Sequence, residues 1–139
     1  MKIEYPAQIT KEEDGIFFVS FPNFEEALTQ GETLDEALFN ASEVLSLVIE
    51  YRLEQEQEIP EPLQMTGKDV QLIAPDVKVQ AALLIRKARA GRPLADLART
   101  LEASWSSVQR LENPRNSPTL RMLDKAAAAL GKRLVLSFE

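Results

Sequence analysis

Between Leu94 and Glu112 the chain reads LADLARTLEASWSSVQRLE, and its polar side chains are of the types that read and grip a nucleic-acid duplex. The Gln109 amide can pair two-pronged with adenine, and the Arg110 guanidinium can do the same with guanine. Ser106 and Ser107, with the backbone N–H groups beside them, suit phosphate oxygens, a role Arg110 can also take. The Trp105 indole either packs under the preceding turn or meets sugar and thymine methyl groups. Arg92, Arg99, Arg115 and Arg121 are further candidate phosphate contacts. The competing reading is an ordinary helical hairpin whose arginines are solvated.

Catalysis finds less material. The chain has 139 residues, no cysteine and no histidine. Thiolate chemistry, disulfides, His-ligated zinc, Ser-His-Asp triads and the usual general base near neutral pH are thereby removed. Two-metal hydrolysis would need several carboxylates converging on a cleft. Glu4 stands alone in its segment, however, and Glu12, Glu13 and Asp14 fall in a turn. We expect no enzyme, no metal site and no cofactor.

The elements that must position Gln109 and Arg110 are helices. From Asp76 onward the composition turns to Ala, Leu and Arg, which favour helix. The spacing predicts helices over 77–89, 94–101, 105–112 and 119–130. Gly91 and Pro93 interrupt the first, Ser104 caps the third, and Ser117 with Pro118 in the first helical position starts the fourth. Gly131 suits the left-handed residue that ends it. The second and third helices flank a three-residue turn at helix-turn-helix spacing. Leu97, Ala98 and Leu101 would face Val108 and Leu111, leaving Trp105, Ser106, Ser107, Gln109 and Arg110 outside. The closing residues Leu134, Val135, Leu136 and Phe138 read as a short strand that an identical strand from a second subunit would complete.

The N-terminal half reads differently. Ile3, Tyr5, Ala7 and Ile9 alternate with polar residues at the two-residue period of a half-buried strand over 2–9. A charged turn ending at Gly15 leads to a dense β-branched and aromatic run over 16–21, giving a β-hairpin. The segment 25–32 reads as the approach to a helix that Thr33 and Glu36 start as a capping box and that ends near Gln57. Leu34, Ala37, Leu38, Ala41, Leu45 and Val48 form its apolar face. Pro60 and Pro62 prevent continuation, and 70–74 returns as a third strand. The expectation is an α+β chain: a ββαβ domain over 1–75, then an all-α helix-turn-helix domain over 76–139.

Charge divides in the same place. Residues 1–72 hold 16 acids and 4 bases, and residues 73–139 hold 6 acids and 12 bases. This asymmetry is expected when one part meets nucleic acid and the other meets something basic. Two domains this small have limited cores, so self-association as a homodimer or homotetramer is expected. The N-terminus has no apolar signal segment and no run approaches membrane-spanning length, which predicts a cytoplasmic protein without a membrane partner.

Two families are similar to these halves. LA..L from Leu97, S.SSV.RLE, and P.L..L from Pro118 followed by ALG resemble the Cro/repressor (XRE-type) helix-turn-helix family over 89–131. Glu102 stands where that family usually has a turn glycine, Trp105 where glutamine is frequent, and Leu94 where a polar phosphate contact is common. The opening YPA, the segment DGIFFVSFPNFEEALTQGET and the following DEAL resemble the HicB antitoxin family. That resemblance implies a degraded ribonuclease H-like N-terminal fold that covers a small basic mRNA-cleaving toxin, HicA, and a protein that represses its shared operon on double-stranded operator DNA. Candidate toxin contacts are Phe18, Phe21, Phe24, Glu25, Glu26 and Glu36. The alternative from another class is a stand-alone repressor whose N-terminal domain senses a ligand or oligomerises.

Overall fold

The computed structural model describes residues 1–139, which divide into two compact units, Lys2–Asp76 and Val77–Glu139. The first contains β1 (Tyr5–Lys11), β2 (Phe17–Phe21), β3 (Phe24–Gly31), α1 (Leu34–Glu54) and β4 (Val70–Ile73). The strands form one antiparallel sheet in the order β3-β2-β1-β4. The order of elements is therefore βββαβ, and the expected ββαβ is corrected by one strand. β3 occupies residues read as a helix approach because adjacent Glu25 and Glu26 break the alternation, and because its register shifts between Ser20 and Phe21. As an edge strand it can leave both glutamates in water.

The turn between β1 and β2 has a local cause. The Glu12 N–H donates to the Ile16 carbonyl (2.8 Å), the Ile16 N–H donates to Asp14 Oδ1 (2.9 Å), and Gly15 takes φ 87°. Asp14 thus serves the turn, as Asx side chains do. Tyr5, Ala7 and Ile9 from β1, Val19 and Phe21 from β2, and Phe24 and Ala27 from β3 are buried with Ala37, Ala41, Leu45 and Ile49 of α1. The buried face of α1 follows this strict four-residue row, so Leu34 is exposed and Leu38 and Val48 only half-buried, contrary to expectation. Small alanines at its start let the helix lie close on the sheet, and Gly31 lets it lie closer: a Cβ there would sit 2.4 Å from the Ala37 amide nitrogen. Thr33 accepts from the Glu36 N–H, as the capping box requires.

Tyr5 anchors the exit of α1. Its ring meets Phe24 edge-on at 4.9 Å, and its hydroxyl donates to the Pro60 carbonyl (2.7 Å). Burial, reinforced by the charge of Glu61, pushes the phenol up to about 12.

The second unit contains α2 (Val77–Arg89), α3 (Leu94–Leu101), α4 (Trp105–Leu111) and α5 (Leu120–Ala129). Ile85, Leu97, Ala98, Val108, Leu111, Ala126 and Leu130 form its core. α5 starts one residue later than expected, because Thr119, not Ser117, accepts from the Met122 N–H and caps it. Gly131 takes φ 73° after its end. The expected C-terminal strand does not form in the single chain: residues 132–139 have no regular structure, as a strand without a neighbour cannot.

Candidate functional site

α4 is positioned by the turn before it. Glu102 adopts the left-handed conformation (φ 53°), its N–H and that of Ala103 bond back to Arg99 and Ala98, and the chain reverses onto Ser104. The Ser104 side chain then accepts from the Ser107 N–H (3.1 Å) and starts α4. Val108 and Leu111 turn into the core, which forces the ridges Trp105–Gln109 and Ser106–Arg110 outward.

The side chains of Trp105, Ser106, Ser107, Gln109 and Arg110 are all exposed. Trp105 keeps 52% of its surface in solvent, so packing beneath the turn is not its role. The hydroxyls of Ser106 and Ser107 stand 3.2 and 2.8 Å from Ser104 Oγ, where they share the cap. Arg110 and Arg121 are exposed with no ion pair inside the chain. Arg92 instead folds back toward the carbonyls of Arg89 and Ala88, and Arg99 pairs with Asp96 one helical turn away. Arg115 follows a turn in which its own N–H donates to Asn113 Oδ1. The structure thus groups Trp105, Ser106, Ser107, Gln109 and Arg110 on one helix, and draws the remaining arginines from separate segments.

An ion pair that sequence reasoning missed holds α4 in place: Arg89 with Glu112, both largely buried. Residues 23 apart in sequence give no periodic signal by which it could be found.

In the first unit the aromatic candidates separate. Phe18 is 37% exposed on the sheet, but Phe21 and Phe24 are buried in the core and offer no surface to a partner. Their inward direction follows from alternation in β2 and from the turn that pairs Phe21 with Phe24. Glu25 and Glu36 are exposed. Glu26 accepts from Arg52 Nε (3.0 Å) and Nη2 (2.9 Å), and those bonds hold its carboxyl below its ordinary value. No three acids stand close enough to hold a metal ion. No helix is long and apolar enough to cross a membrane. On the tail, Val135, Leu136 and Phe138 are fully or largely exposed and Leu134 is half-buried.

Charge follows the two units. Lys2–Asp76 contains 17 acids and 4 bases, and Val77–Glu139 contains 5 acids and 12 bases.

The chain is similar to known proteins over nearly its whole length. Residues 4–81 match a family model described as the HicB_like antitoxin of bacterial toxin-antitoxin systems. The curated protein Antitoxin HicB 1 of Photorhabdus laumondii subsp. laumondii is 32% identical over 137 residues, covering 99% of this chain and 88% of that protein. Antitoxin HicB of Escherichia coli (strain K12) is 31% identical over 136 residues, covering 96% and 98%. Among solved structures, a toxin-antitoxin complex from Streptococcus pneumoniae matches 78% of this chain and 95% of that one, at 23% identity and a TM-score of 0.47.

Proposed function

The chain belongs to the HicB-like antitoxin family of bacterial toxin–antitoxin systems, and from that membership we propose that it neutralises a small basic toxin by direct binding and represses its own operon by binding operator DNA. Each unit takes one task. Lys2–Asp76 masks the toxin, and Val77–Glu139 is a Cro/repressor-like helix-turn-helix whose recognition helix is α4. Both steps are binding equilibria, and neither needs a catalytic group, a metal or a cofactor.

The division of exposed chemistry carries this reading. Gln109 and Arg110 point outward from a helix held rigidly by Val108, Leu111 and Glu112, in the cationic unit. Such a helix can enter a major groove and present base-reading side chains there. The other unit is strongly acidic, which steers a basic protein toward it and keeps nucleic acid away. Antitoxin relatives align across both units, which supports assigning the two tasks to one molecule.

A single HTH reads one half-site. We assign dimerisation to the tail, where Leu134, Val135, Leu136 and Phe138 would pair with the same strand of a second copy. The two α4 helices would then lie about 34 Å apart, and the operator would be an inverted repeat.

The experiment is to tag the protein at its own chromosomal locus, purify it gently and identify what accompanies it by mass spectrometry. A small basic protein in near-equimolar amount is the expected result. Recovery of DNA without that protein would replace the antitoxin mechanism by a stand-alone repressor.

A further inference from the structure

Helix α1 has an outward face that the sheet does not use. Phe39, Leu47 and Tyr51 lie along it, eight and four residues apart, and are 65%, 64% and 57% exposed. Single exposed apolar residues need no explanation, but three large ones along one helix mark a contact surface. Phe39, Ser42, Glu43, Ser46, Leu47 and Asp76 line a groove of about 400 Å³. One wall is fixed by hydrogen bonds: Ser42 Oγ donates to the Ala74 carbonyl (2.8 Å), and the Asp76 N–H donates to Ser46 Oγ (2.7 Å). The segment leaving β4 is thereby pinned along α1, so the groove exists before anything binds.

We propose that this groove is the docking surface for the toxin, and that it receives an apolar side chain flanked by lysine or arginine. The inference rests on the antitoxin reading above and adds where the toxin sits. Its charge selects the occupant. α1 carries Asp35, Glu36, Glu43, Glu50 and Glu54 against one base, Arg52, which Glu26 already neutralises. Glu43 stands in the groove itself, between Phe39 and Leu47 on the helix. A second copy of this face would bring carboxylates against carboxylates, and a nucleic acid would bring phosphates; both are repelled. A cationic protein surface with an apolar centre satisfies the charge and the exposed rings together. Contacts of this kind concentrate their affinity in a few central aromatic and aliphatic anchors.

The test uses the full chain co-expressed with the product of the gene beside its own, the toxin candidate. The wild type should capture that protein, and Phe39→Glu together with Leu47→Glu should weaken capture by about tenfold or more. Glu43→Lys alone should weaken it in the same direction. Leu28→Glu, at another exposed apolar position, on β3, should leave capture within about twofold of wild type. All four positions are solvent-exposed, so melting temperatures should stay close to that of wild type. Capture by the double variant at wild-type strength, from a protein that still folds, would overturn the docking surface while leaving the antitoxin reading intact. Failure of the wild type to capture the neighbouring protein would overturn both. A fall in oligomeric state with the double variant, measured by sedimentation without the toxin, would assign the groove to a second copy instead.

Discussion

Arg89, the last residue of α2, donates from Nε (2.6 Å) and Nη2 (2.9 Å) to the carboxylate of Glu112, the residue that ends α4. A third donor, Nη1, reaches the Arg92 carbonyl, so one guanidinium ties together α2, the turn after it and α4. The side chains are 18% and 14% exposed, and the hydrogen bonds that Arg89 donates to Glu112 hold the guanidinium further toward its charged form. Removing either partner leaves the other charge in a largely dry place. Arg89→Ala and Glu112→Ala should each destabilise the second unit by about 1 to 3 kcal/mol, and the double variant should cost less than their sum. Urea unfolding measures both quantities; strict additivity would show that the pair is not coupled.

The Arg52 link to Glu26 makes a prediction about pH. Arg52 also lies 4.8 Å from the Phe24 ring centroid, so the pair fastens the end of α1 to β3. Because Arg52 lowers the Glu26 carboxyl below its ordinary value, the folded state binds that proton less readily than the unfolded state. The stabilisation is present above the unfolded carboxyl's range and is lost as pH falls through the lowered folded value. Glu26→Gln should therefore melt below wild type near neutral pH, and the gap should close as pH falls through the lowered folded value of the Glu26 carboxyl. Glu26 is about half exposed, so the gap should be small and shrink with salt. A gap that persists unchanged into acid would assign the effect to shape, not charge.

Gly31 predicts a packing defect. A methyl group there meets backbone atoms of Ala37 and Glu36 at 2.4 to 2.9 Å, and backbone cannot rotate away. Gly31→Ala should cost about 1 to 3 kcal/mol by prising α1 from the sheet. Equilibrium unfolding at wild-type stability would mean that α1 can move away from β3 at little cost.

Much of this architecture was legible because its causes are local. The alternation of Ile3, Tyr5, Ala7 and Ile9, the Thr33 cap and the Gly91–Pro93 break each act within a few residues, and α2 and α3 occupy the residues predicted for them. β3 was illegible because a strand with Glu25, Glu26 and Gln30 is stabilised by the pairing of β2, which no local pattern reports. Phe21 and Phe24 look like contact residues in a string of aromatics, and only the sheet register turns them inward. On α4 the exposed set was readable from Val108 and Leu111, whose spacing fixes the inner face. The Arg89–Glu112 pair was not, because charge attraction across 23 residues leaves no periodic trace.

Glu102 predicts a gain. It is one of three non-glycine residues with positive φ, and it holds the turn on which α4 depends. A side chain in that conformation costs about 1 kcal/mol that glycine avoids, and Glu102 is exposed, so little packing is lost with it. Glu102→Gly should raise stability by about 0.5 to 1 kcal/mol, whereas Glu102→Ala, which keeps Cβ, should not. Equal effects of Gly and Ala in thermal unfolding would locate any gain in lost charge instead of released strain.

The proposed DNA reading makes its sharpest prediction at two arginines with different jobs. Arg110 shares α4 with Gln109 and is exposed without an ion pair, whereas Arg121 is exposed on a different helix, α5. Arg110→Ala should weaken operator binding by about 1 to 3 kcal/mol and relax preference at one base position. Arg121→Ala should weaken binding about equally on every sequence and reduce the slope of log affinity against log salt by about 1. Fluorescence anisotropy on the region upstream of the operon, at several salt concentrations and with single-base variants, separates the two behaviours. Loss of affinity at Arg110 with no change in base preference would make it a phosphate contact and leave Gln109 as the base reader. No loss at either arginine would remove α4 and α5 from the DNA interface.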